Sequence, residues 1–92
     1  MKKLDLTTFF LSISSAAFMG MGISPEGELA PSHEGVDLEL ARQNIDLLEL
    51  MQEKTRGNRT QEEEKLLEQL LFQVRMRFVE VQKKLQLESL RK

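Results

Sequence analysis

The chain is predicted to be all-α. A short buried helix opens it, a loop follows, and an antiparallel two-helix hairpin with a long C-terminal helix completes an oligomeric helical bundle. Three observations predict this. Leu6 to Ile23 carries no charged residue. The segments 38–56 and 61–90 repeat apolar residues at spacings of three and four, the helical period. Both prolines, Pro25 and Pro31, lie between these segments, where they interrupt helix. The expected organisation is one small helical domain over 1–92, with helices at about 7–20, 38–56 and 61–90 and a loop at 24–35.

Size and charge narrow the function classes. A chain of 92 residues buries roughly 60–65% of the surface that its unfolded form exposes, so its core is marginal. No cysteine is present, which excludes disulfides and thiolate metal sites. The formal charge of -2 mixes acids and bases, unlike the basic balance of a nucleic-acid binder.

The first segment, LTTFFLSISSAAFMGMGI, admits three readings. A membrane span needs about 20 predominantly apolar residues, and this stretch is interrupted by Thr7, Thr8, Ser12, Ser14 and Ser15. An export signal would use Lys2 and Lys3 as its positive start, but Asp5 interrupts that start and serines break the apolar part. The favoured reading is a short buried helix. Asp5 or Thr7 can cap it by accepting from free N–H groups of the first turn. Gly20 or Gly22 can end it, since glycine adopts the left-handed conformation freely. At about 100° per residue, Phe9, Ile13, Ala16 and Ala17 share one side while Phe10, Leu11 and Phe18 point elsewhere. A helix apolar nearly all round is expected to be buried. Ser12, Ser15, Ala16 and Ala17 would let another helix come close, with the hydroxyls bonded back to carbonyls one turn earlier.

The segment SPEGELAPSHEG has loop composition. Its length makes it either mobile or used in binding. His33 has no second histidine and no cysteine to join it, so no metal site is expected.

Asp37 is a plausible N-cap for the second helix. Ala41, Ile45 and Leu48 form its apolar face, with Leu38 beside them and Leu40, Leu47 and Met51 on one flank. Lys54 and Arg56 complement the dipole at its end, and Gly57 suits the C′ position. Thr60 and Glu63 have the spacing of a capping box for the third helix, and Glu62, Glu63 and Glu64 place negative charge at its positive end. The short connection between them favours an antiparallel pair.

The third helix carries two apolar seams. Leu67, Leu71, Val74, Phe78, Val81 and Leu85 repeat as in a coiled coil, broadened by Leu66 and Leu70. Phe72, Met76 and Val79 project from nearly the opposite face. One antiparallel partner cannot cover both. At 1.5 Å per residue the helix would run about 45 Å, longer than the diameter of about 32 Å of a compact chain this size. Arg75, Arg77, Lys83 and Lys84 could serve as phosphate contacts, but no aromatic platform accompanies them. Glu80 and Glu88 are interspersed.

No phosphate-binding or nucleophile motif is present: Gly20–Gly22 is followed by no Lys-Ser/Thr, and no acid partner suits His33. The segments LDLTTFFLSISSAAFMGMG, VDLELARQNIDLLELMQEKTRGN and RTQEEEKLLEQLLFQVRMRFVEV resemble a family of small bacterial proteins, domain-of-unknown-function family 1844, over roughly Leu4 to Val81. The resemblance implies a small, soluble, helical, cytoplasmic bacterial protein and brings no catalytic residue with it.

The expected function is therefore non-enzymatic: a helical interaction protein, either a homo-oligomer or a small subunit of a larger assembly, with no cofactor. The expected interface residues are Phe9, Phe10, Ile13, Phe18, Leu71, Phe72, Val74, Met76, Phe78, Val79, Val81 and Leu85. The rivals are a membrane-associated protein inserting 6–23 and an RNA- or ribosome-associated factor using the four cations above. Aspartate at Phe9 or Phe78 is expected to dissociate or unfold the protein, because each buries an unpaired charge.

Overall fold

The computed structural model of the chain describes residues 5–24 and 35–90. Three helices account for nearly all of them: α1 (Leu6–Gly20), α2 (Leu38–Lys54) and α3 (Gln61–Leu90). No strand occurs among the described residues. His33 and most of the loop at 24–35 lie outside the described residues, as do the tail residues Arg91 and Lys92.

The helix ends follow from local chemistry. Asp5 caps α1, accepting from the Thr8 N–H at 2.8 Å, and that bond holds the Asp5 carboxyl below its ordinary pKa. At the other end Gly22 adopts φ 77°. Its N–H donates to the Met19 carbonyl at 3.0 Å, and the Ile23 N–H reaches back to the Phe18 carbonyl at 2.9 Å. This pair of bonds is the Schellman closure, which satisfies carbonyls that the helix leaves free. Asp37 caps α2 through the Leu40 N–H at 3.0 Å. The Thr60–Glu63 box closes α3 in both directions: the Glu63 N–H donates to Thr60 Oγ1 at 3.1 Å, and the Thr60 N–H to Glu63 Oε1 at 2.8 Å.

All three helices meet in one core. Phe10, Ile13 and Ala17 come from α1, Ala41, Ile45 and Leu48 from α2, and Leu67, Leu70, Leu71, Val74, Phe78 and Val81 from α3, with Met21 and Ile23 just beyond α1. The first seam of α3 thus finds its partners inside the chain, with half-buried Leu85 packed at the edge of the core.

The expected burial of α1 nearly all round is corrected: it is buried along a single face. Phe10 is fully inside, whereas Phe9 is 44% exposed, and Leu11, Ser12, Ser15 and Met19 also face out. The expected grouping of Phe9 with Ile13 is thereby corrected: the inward line is Phe10, Ile13, Ala17, at spacings of three and four. A segment without charges gives no polar edge from which to choose between the two phenylalanines. Ser14 is the hydroxyl that goes inside, and it donates to the Leu11 carbonyl at 3.0 Å.

The close helix approach is made at Gly20. Its carbonyl accepts from the Asp37 N–H at 2.7 Å. A Cβ placed on it would lie 2.7 Å from the Ala41 nitrogen. The end of α1 therefore rests on the first turn of α2 with no side chain between them.

The turn from α2 to α3 is organised by Arg59, whose side chain is only 7% exposed. Its guanidinium donates to the Gln52 carbonyl at 2.6 Å and to Thr55 Oγ1 at 2.8 Å, near the end of α2. It also grips Glu64 with two bonds, of 3.0 and 3.1 Å. A cation there complements the negative end of α2. The fork shape of arginine makes several bonds at once possible. Gly57, at φ 83°, lets the chain turn back tightly enough to bring Arg59 into place. Arg59→Ala is expected to lower stability by about 2 kcal/mol, because charged hydrogen bonds vanish and buried acceptors lose their donor. Thermal unfolding followed by circular dichroism measures this.

That node also sets a pH dependence. The Arg59 bonds hold the Glu64 carboxyl below its ordinary value, and the Arg59 charge adds to the effect against partial desolvation. A carboxylate depressed in the folded state stabilises fully above its unfolded pKa, and that contribution is lost as pH falls through the folded value. The wild-type chain should lose stability on acidification through the carboxylate range. Arg59→Ala should flatten that loss, leaving the share due to Asp5.

Candidate interaction surface

The core residues above leave a defined apolar surface outside. On α3 the second seam is exposed: Phe72 is 59%, Met76 45% and Val79 46% accessible, and Leu87 and Leu90 continue it. These side chains fall on one line because their spacings are three and four, and they oppose Val74, Phe78 and Val81, which face the core. Lys65 and Lys83 sit on the same line, before and after the apolar residues.

Met76 joins two hollows. One lies between α1 and α3, holds about 550 Å³, and is lined by Ser15, Phe18, Met19 and Ile23 on one side and Gln73, Met76 and Arg77 on the other. The second runs along α2 and α3 past Gln52, Phe72, Arg75 and Val79. The surface is thus continuous from Met19 across Met76 to Phe72. It is open and largely apolar, and it is edged by the amides and hydroxyls of Gln52, Gln73 and Ser15 and by the charged Glu68, Arg75 and Arg77.

The expected interface residues divide into three groups. Phe10, Ile13, Leu71, Val74, Phe78 and Val81 belong to the chain's own core. Phe18 and Leu85 are half-buried at its edge. Phe9, Phe72, Met76 and Val79 face outward. Met19 and Leu11 join this last group on α1, and Leu40, Leu47 and Leu50 are outward on α2. Of the expected α2 flank, Leu40 and Leu47 stay outside while Met51 packs against the core; Leu50 does not belong to that flank.

The basic residues of α3 are partly engaged. Arg75 pairs with Glu49 of α2, with a shortest separation of 2.6 Å. Arg77 pairs with Glu80 at 3.1 Å. Among the described residues, no group of three or more histidine, cysteine, aspartate or glutamate side chains could hold a metal ion. None of the described helices is long and apolar enough to cross a membrane.

Comparison with known families returned one match: a family model described as a domain of unknown function, DUF1844, covers residues 3–80. No curated protein and no solved structure matches the chain.

Proposed function

The chain belongs to the DUF1844 family, and on that premise we propose that it works as a non-enzymatic helical interaction protein, a homo-oligomer or a small subunit of a larger assembly in the bacterial cytoplasm. The observation that carries this reading is the outward seam Phe72, Met76 and Val79. Full burial of such a side chain is worth roughly 1.5–3 kcal/mol, about half of which remains to be gained at these half-exposed positions, against about 5–14 kcal/mol for the whole stability of a domain this size. A line of apolar residues rimmed by polar ones is the ordinary mark of a contact surface.

In this reading α2 and α3 form an antiparallel hairpin, which then associates. Two contacts support it. Arg75 pairs with Glu49, and Leu38, at the start of α2, borders a hollow with Val79, Lys83 and Gln86, far along α3. Elongation agrees with a need for partners. The molecule measures 49 × 27 × 18 Å, with a radius of gyration of 14.6 Å, against about 12 Å for a compact chain of this length.

Light scattering on the purified chain tests the proposal. The expected mass exceeds one copy, or a partner protein co-purifies. Phe72→Glu should keep the helical circular dichroism and weaken the association roughly 30-fold, the equivalent of about 2 kcal/mol. A chain that stays monomeric at every concentration and retains no partner ends this reading.

A further inference from the structure

We propose that the occupant of the outward α3 seam is a second copy of this chain, laid antiparallel with the two-fold axis near Met76. This rests on the interaction reading above and adds the partner and its direction.

The argument is one of charge and register. On the outward line of α3 the order is Lys65, Gln69, Phe72, Met76, Val79, Lys83, then Leu87. A parallel, in-register pair would set Lys65 against Lys65 and Lys83 against Lys83 along the seam, and like charges facing each other oppose association. Reversing one helix about Met76 removes both clashes. Phe72 of each copy then packs beside Val79 of the other, staggered by one residue, and Met76 meets Met76. Glu68 lies eight residues before Met76 and Lys83 seven after it, so Glu68 of each copy comes within one residue, about 1.5 Å along the axis, of Lys83 of the other, close enough for an ion pair. The two-fold axis repeats that ion pair at both ends, as an isologous interface requires. Lys65 meets Leu87, and its aliphatic stem can cover that side chain while the ammonium stays in water. Arg75 flanks the line, already held by Glu49, so it brings no unmatched charge into the centre.

The natural chain has no cysteine, so introduced thiols report position without interference. The probes are Gln69→Cys and Lys83→Cys, both at exposed positions on the seam. Each is oxidised alone and then as an equal mixture. In the antiparallel pair, position 69 faces position 83 of the other copy, within disulfide reach. Like positions are then about 21 Å apart along the helix. The expected result is a disulfide-linked dimer from the mixture and almost none from either variant alone. Dimers from each variant alone mean parallel pairing and overturn the proposal. No crosslink in any sample, while light scattering still shows an oligomer or a bound protein, means that something else occupies the seam; the proposal then fails and the interaction reading stands. A wild-type monomer with no partner removes both.

The charge pair is tested separately. Glu68→Lys and Lys83→Glu should each weaken association about tenfold, and the double exchange should restore it to within about threefold. Equal weakening in single and double variants would show that the two residues do not face each other.

Discussion

Phe78→Asp is expected to unfold the chain at room temperature. Phe78 is 7% exposed and packs in the one core shared by all three helices. Removing a buried phenylalanine side chain costs about 3–5 kcal/mol before anything replaces it. The carboxylate adds the cost of a buried charge without a partner, or of a pKa forced upward to avoid that charge. The arginines on the same helix do not relieve it: Arg75 is paired with Glu49 and Arg77 with Glu80. The combined loss matches the whole stability of about 5–14 kcal/mol for a domain of this size. Far-ultraviolet circular dichroism should show most of the helical signal gone. Phe9→Asp is the companion measurement. Phe9 is 44% exposed on the first turns of α1, where negative charge is favourable, so its fold should survive with a loss of about 1 kcal/mol. Equal unfolding by both variants would mean that α1 has no outward face.

The contrast between these two positions shows what was legible in the residues alone. Caps were legible because their chemistry is local: Asp5, Asp37 and the Thr60–Glu63 box each act over three residues, and all four bonds form. The inward face of α2 and the first seam of α3 were legible because charged neighbours mark their edges. The face of α1 was not, since a stretch without charge offers nothing to orient it, and Phe10 rather than Phe9 turned inward. Arg59 gave no signal either. An arginine beside Gly57 and Asn58 reads as a solvated turn residue, and only folding brings the Gln52 carbonyl, Thr55 and Glu64 around it. The outward seam Phe72–Met76–Val79 was visible as an excess over what one helical neighbour can cover. Its extension across Met76 to Phe18 and Met19 depends on how α1 lies on α3. That placement is a tertiary fact with no local spacing to announce it.

The same limit applies to Gly20, and it yields the second large effect. As the last residue of α1, Gly20 looks replaceable; alanine there should gain up to about 1 kcal/mol of helix propensity. The packing reverses that sign. The added Cβ would sit 2.7 Å from the Ala41 nitrogen, 3.0 Å from the Ala41 Cα and 3.0 Å from the Asp37 carbonyl oxygen. All three are backbone atoms, so no side chain can swing aside, and α1 must move away from α2. That movement stretches the 2.7 Å bond between the Asp37 N–H and the Gly20 carbonyl and loosens buried Ala41, Met21 and Ala17 around it. Overpacking of this kind costs about 1–3 kcal/mol for a single added group. Gly20→Ala should therefore lower stability by about 1–2 kcal/mol net, and Gly20→Val by about 3 kcal/mol or more, because a branched side chain adds to the clash. Thermal melts of the two variants beside wild type measure the order. Alanine above wild type would mean that α1 and α2 do not approach at Gly20. The cost should fall on the α1–α2 contact first, so amide exchange in α1 should speed up more than in the middle of α3, where Leu71 and Val74 stay packed.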